Sequence, residues 1–177
     1  NVRLGIAVKG GPAATLVFEN STCRLEPGAD NCTIKLPFSS PEKFNGMIDG
    51  TVTPLPSKGF TKIGFLLKTF IPLTDILSRY LRPTAEGLAD ETFFETSTRL
   101  TFRVIAAAIA CIGNEDKVGK ASASYITDGA ARLMIGGEAR CYTLIAKDHR
   151  LALSEGDEAP MTSYMRFDNI RVARDLF

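Results

Sequence analysis

The single histidine, His149, lies in Lys147-Asp148-His149-Arg150. As a general base it would offer the one side chain that ordinarily titrates near neutrality. Its polar neighbours predict a solvated turn instead. Ser40-Pro41-Glu42-Lys43 has the S-x-x-K spacing of serine acyl-enzymes. The same residues also make a good helix start, a serine cap with proline and an acid in the first turn, and that is the reading adopted. Without a second histidine, and with Cys23, Cys32, Cys111 and Cys141 dispersed, no metal-ligand spacing or Cys-His pair arises. The cysteines are expected as free thiols. Glu155, Asp157 and Glu158 could hold a cation, but a solvated hairpin loop is the expectation. Gly10-Gly11-Pro12 and Gly136-Gly137 precede strand-like segments, so neither cradles a phosphate at a helix N-terminus. No catalytic residue, metal or cofactor is expected.

The elements that would position any site read as follows. Ala13–Phe18, Thr22–Leu25 and Cys32–Phe38 are rich in β-formers and separated by turn residues, which predicts an antiparallel meander. A helix opens at Ser39-Ser40-Pro41-Glu42 and closes at Asp49-Gly50, with Phe44, Met47 and Ile48 on its apolar face. A second begins with Pro72 at its first position and carries Leu73, Ile76, Leu77, Tyr80 and Leu81. Residues 83–90 read as a linker. One long helix is predicted over Glu91–Ile112, stopped by Gly113-Asn114. Two strands, Ser122–Thr127 and Ala131–Ile135, follow around an Asp128-Gly129 hairpin turn.

With 177 residues, 45% hydrophobic and 23% charged, the chain can build one large domain or two small ones and is not disordered. A net charge of +1 gives no broad attraction to nucleic acid or anionic membranes. The longest apolar run, Val104–Ile112, is well short of the roughly 18 residues of a membrane span, and Arg99 and Arg103 precede it. A soluble, cytoplasmic protein without a transmembrane segment is expected.

An offset of 129 residues places Gly137–Phe177 under the N-terminal segment as a second copy of the same layout. Tyr142–Ala146 then falls on Ala13–Val17, and Thr162, Met165 and Phe167 on Thr33, Leu36 and Phe38. Asp168-Asn169 stands where Ser39-Ser40 opens the first helix. The second copy stops at Phe177 inside its helix, so the sequence reads as cut short there.

Three segments carry a resemblance: Cys32-Thr33-Ile34-Lys35-Leu36, Phe44-Asn45-Gly46-Met47-Ile48-Asp49-Gly50 and Lys58-Gly59-Phe60-Thr61-Lys62-Ile63-Gly64. Together they resemble the sterol carrier protein type 2 family of lipid-binding domains, and Ala139–Phe177 echoes it more weakly. The corresponding family parts are a CTIxL strand, a helix ending in a Gly-containing turn and a GxLxIxG strand, which here reads GFTKIG. The resemblance implies an α+β fold, an antiparallel β-sheet with helices packed on one face, internally duplicated. Its first unit would span 1–82 and its second, incomplete unit 91–177. It also implies non-catalytic binding of a lipid or fatty-acyl-type ligand.

The residues supply a matching feature. Phe60–Leu81 is more apolar than one-sided packing requires, with Phe65-Leu66-Leu67 consecutive. The expected ligand site has Ile34 and Leu36 as its floor, Phe44, Met47 and Ile48 on one side, and Phe65, Leu66, Phe70, Leu73, Ile76 and Leu77 on the other. An elongated apolar gap between them would hold the ligand. Rival readings are a structural repeat that fills the gap with its own side chains and pairs as a homodimer, and an enzyme of unrecognised type.

Overall fold

A computed structural model describes residues 1–157 and 160–176. The chain divides into two compact units, Asn1–Ser78 and Arg79–Phe177. Two residues of the sequence reading, Glu158 and Phe177, lie outside the described residues.

The first unit begins with a strand that the sequence reading left out. Val2, Leu4, Ile6 and Val8 alternate with Arg3, Gly5 and Ala7 to build β1 (Val2–Val8). β2 (Ala13–Glu19) and β3 (Thr22–Pro27) form an antiparallel hairpin over Asn20 and Ser21, both at positive φ, the geometry of a two-residue turn matched to strand twist. β4 (Ile34–Phe38) does not complete a meander: it pairs parallel to β1, and the sheet order is β3-β2-β1-β4. The Thr33 hydroxyl fixes that crossover, accepting from the Arg3 N–H at 2.9 Å and donating to the Arg3 carbonyl at 3.0 Å. Ala29 and Cys32 lie buried beneath Gly5, where a Cβ would come within 2.9 Å of the Cys32 sulfur.

α1 (Pro41–Ile48) starts as the capping pattern predicts, the Ser40 hydroxyl accepting from the Lys43 N–H at 3.4 Å. The segment likened to a GxLxIxG strand departs from that expectation. Lys58 makes a single bridge to Lys35, and the chain then turns helical at Phe60. It continues through a 3-10 turn (Phe60–Lys62), α2 (Ile63–Phe65), a π turn (Leu66–Phe70) and α3 (Ile71–Leu81). Pro72 therefore lies inside a helical run instead of opening one. It has no N–H for the Lys68 carbonyl, and the wider π turn directly before it accommodates that loss. Leu66 and Phe70 close over Leu4, Val8, Ile34, Leu36 and Phe38 to make the core. Edge-to-face rings seal it, Phe18 on Phe65 at 5.1 Å and Phe38 on Phe44 at 5.4 Å.

The second unit puts a helix where a linker was predicted. The Thr84 hydroxyl accepts from the Gly87 N–H and caps α4 (Ala85–Leu88). α5 (Glu91–Glu115), capped by Asp90, runs past the predicted stop at Gly113-Asn114. Gly113 lets the helix pass close to Leu151, whose Cδ1 would lie 2.5 Å from a Cβ there. The Asn114 side chain binds both the N–H and the carbonyl of Leu151, so it serves the neighbouring strand. The strand predicted over Ser122–Thr127 does not form: the Asp116 carboxylate accepts from the Val118 and Gly119 N–H groups and starts α6 (Lys117–Ala123), which takes in Ser122 and Ala123, and the chain turns after it. Asp128-Gly129 is likewise no hairpin turn, since Gly129 begins β5 (Gly129–Ile135).

β6 (Cys141–Lys147), β7 (Arg150–Glu155) and β8 (Ser163–Phe167) complete a sheet of order β7-β6-β5-β8, again with a parallel outer pair, and α7 (Ile170–Arg174) follows the Asn169 cap. Phe102 and Ala106 of α5 pack on Leu133, Ile135, Tyr142 and Ala173. By length and composition alone α5 could cross a membrane, and it is the one such helix among the described residues. Its buried residues belong to the packing of its unit.

Both units are thus α+β, with mostly antiparallel four-stranded sheets, and their details correspond. Thr162 bridges the N–H and carbonyl of Ala130 as Thr33 bridges those of Arg3. Thr143 donates to the Gly156 carbonyl as Thr15 does to that of Gly28. Thr15 and Thr143 are 128 positions apart, however, so the constant offset of 129 slips the hairpin by one residue and exchanges its faces.

The Arg99 guanidinium ties α5 to the β5–β6 turn, donating to both Glu138 carboxylate oxygens at 2.8 Å and to Glu95 at 2.9 Å. These hydrogen bonds from Arg99 hold the Glu138 carboxyl below its ordinary 4.5. Because the folded-state value is depressed, the pair stabilises above about pH 4.5, and the contribution fades as pH falls through the folded-state value. Solvent reaches both partners, so about 1 kcal/mol or less is expected. Urea unfolding of Arg99→Gln should show a deficit at pH 7 that shrinks in acid. An equal deficit at pH 3 would mean that packing, not the ion pair, is the source.

Candidate functional site

The eleven residues expected around a ligand divide into two groups. Ile34, Leu36, Leu66 and Phe70 are buried in one cluster, with Phe44, Met47 and Phe65 packed against it. The sheet, α1 and the Phe60–Leu81 helical run do meet, but their side chains occupy the expected gap, as interiors near a packing density of about 0.75 normally do. Ile48, Leu73, Ile76 and Leu77 stay exposed and outside that cluster.

Two of these exposed residues border a different apolar space. A groove of about 700 Å³ runs along the flank of the first unit, lined by Val2, Phe18, Phe65, Pro72, Leu73 and Ile76. The start of β1 and the end of β2 form one wall, and the helical run forms the other. Leu73 and Ile76, three residues apart on α3, stand side by side along it. Lys68 lines the groove and makes no ion pair among the described residues. The polar β2–β3 turn, Asn20 and Ser21, also contributes to the lining. The sequence reading named Phe65, Leu73 and Ile76. It missed Val2 and Phe18 as wall residues because β1 was unread, although the Val2-Leu4-Ile6 alternation was there to find.

Of the candidate chemical groups, Cys23 lines this groove. His149 is exposed, at φ 61° in the two-residue β6–β7 turn, as its polar neighbours predicted. Ser40 caps α1. All four cysteines are free: Cys32 buried, Cys141 half-buried, Cys23 and Cys111 exposed. Glu155 pairs with Arg103, and no group of three acidic, His or Cys side chains suited to a metal is found among the described residues.

Compared with models of protein families, with curated proteins and with solved structures, the chain matches none of them.

Proposed function

We propose that the protein binds an elongated apolar ligand of lipid or fatty-acyl type without catalysis, and that the ligand lies along the flank groove of the first unit. The observation that carries this reading is the groove itself. It is an apolar trough of about 700 Å³ with exposed Leu73 and Ile76 at its side and, in its lining, Lys68, which makes no ion pair among the described residues and could meet a carboxylate. Burial at roughly 25 cal/mol per Å² would supply the affinity, and Lys68 the orientation. The resemblance to the sterol carrier family supports the ligand class. Internal duplication from one such unit is part of the proposal, supported by the matching threonine bridges of the two sheets. Free thiols fit a reducing, cytoplasmic setting.

A scaffold reading draws on a separate observation: Phe60, Ile63, Leu67 and Leu77 are also exposed on the same helical run, a surface that a homodimer would cover. One titration separates the two. A fluorescent C18 fatty acid, cis-parinaric acid, is expected to bind with micromolar affinity, on the order of −8 kcal/mol. Leu73→Asp with Ile76→Asp should weaken it at least tenfold while changing stability by about 0.5 kcal/mol or less, since both side chains are exposed. Leu77→Asp, outside the groove lining, should bind normally. Full binding by the double variant would place the ligand elsewhere, and no binding by the parent would leave the scaffold reading.

A further inference from the structure

A second cavity, of about 250 Å³, lies within the second unit where α5 meets the β5–β6 turn. It is independent of the flank groove and of the reading placed on it. Phe102 and Ile135 supply apolar wall, and Tyr142 lines the same space. The rings of Phe102 and Tyr142 meet edge to face at 5.6 Å, leaving aromatic surface suited to another ring. The volume is below the range of drug-sized pockets, about 300–1,000 Å³, and fits a small ligand.

The charges in the cavity are unequally engaged. Arg99 is forked onto Glu138 through Nε and Nη2, and Nη2 also bonds Glu95. Arg103 is paired with Glu155 at 2.5 Å. Arg140 lines the cavity too, yet makes no hydrogen bond or ion pair among the described residues. Tyr142 is 5% exposed, and its hydroxyl makes no hydrogen bond among the described residues and is not sealed from solvent. Burial, with Glu155 nearby, raises the phenol above its ordinary pKa, which keeps it a donor. Two donor groups are thus left over beside an apolar wall. Arg99, Arg103 and Arg140 face the carboxylates of Glu95, Glu138 and Glu155, so the charges already balance; what Arg140 offers is unused donors, which suit a single carboxylate better than a phosphate dianion. A guanidinium matches a carboxylate with two parallel N–H bonds.

We infer that this cavity binds a small monocarboxylate with an aromatic body, its carboxylate received by Arg140 and the Tyr142 hydroxyl and its ring set against Phe102 and Ile135. Arg140 is exposed, so replacing it leaves the packing intact. Tyr142→Phe keeps the buried ring and removes only the donor.

The test uses the whole chain with 3-phenylpropionate and its neutral amide, 3-phenylpropionamide, titrated by protein-observed NMR. The acid should bind in the millimolar range, with shifts centred on Phe102, Ile135 and Tyr142, and the amide at least tenfold more weakly. Arg140→Gln should weaken the acid at least tenfold and Tyr142→Phe several-fold. The Leu73→Asp, Ile76→Asp double variant should bind it unchanged. Equal binding of acid and amide, unaltered affinity in Arg140→Gln or Tyr142→Phe, loss in the groove variant, or no binding at all would each overturn the assignment.

Discussion

Leu36→Ala is expected to destabilise the first unit by about 2–5 kcal/mol, whereas Met165→Ala should change the second by about 0.5 kcal/mol or less. The two residues hold the same place in their sheets, Leu36 paired in parallel with Ile6 and Met165 with Leu133. Their surroundings differ. Leu36 is 0% exposed beneath a core closed by Leu66 and Phe70, while Met165 is 54% exposed. α5 lies chiefly over β7 and β6, which leaves β8 with little cover. Truncating Leu36 opens a cavity that rigid neighbours fill only in part, but truncating Met165 removes a side chain that water already reaches. Urea unfolding with hydrogen exchange to assign the loss would check this. Equal losses would mean that β8 is covered as fully as β4.

Gly59→Ala should cost about 3 kcal/mol or more, against about 1 kcal/mol for Gly10→Ala. Both glycines have a left-handed backbone, φ 85° and 77°. A Cβ on Gly10 would meet nothing within 4 Å, whereas one on Gly59 would lie 2.3 Å from the Thr33 carbonyl oxygen and 2.9 Å from the Ile34 Cα. Those neighbours are backbone of the crossover and of β4, and they cannot swing aside. The substitution would therefore push the Phe60–Leu81 run off the sheet. Loss of cis-parinaric acid binding should accompany the loss of stability, because Phe65, Leu73 and Ile76 move with that run. A Gly59→Ala cost no greater than that of Gly10→Ala would show that the helical cover is not anchored at this point.

The mismatch between the constant offset and the two sheets has a simple origin. The β1–β2 connection holds four residues, 9–12, and its counterpart five, 136–140. The β3–β4 connection holds six, 28–33, against seven at 156–162. No constant offset can pass through both. The offset of 129 is right at β4 and the α1 cap, where Phe38 meets Phe167 and Ser40 meets Asn169, and wrong by one over the preceding hairpin. Loop length is free to drift because the turns are solvated, whereas the face of each strand residue is not.

Local chemistry alone determined β2, β3, β4 and α1, the turn at His149 and the cap at Ser40. Alternation, turn residues and N-caps act within a few positions of one another and need no distant partner. The same local logic failed at Gly113-Asn114 and at Ser122–Thr127. At Gly113-Asn114 the deciding contact, with Leu151, is distant in sequence and overrode a stop signal; at Ser122–Thr127 one local signal outweighed another, the Asp116 cap starting a helix ahead of a strand-like pattern. Only tertiary structure decided that β4 pairs with β1. It also decided that the first sheet is covered by the helical run after it and the second by the helix before it. That choice buried Leu66 and Phe70 and left Leu73 and Ile76 at a groove, because backbone pairing and apolar burial join residues tens of positions apart that no sequence period connects.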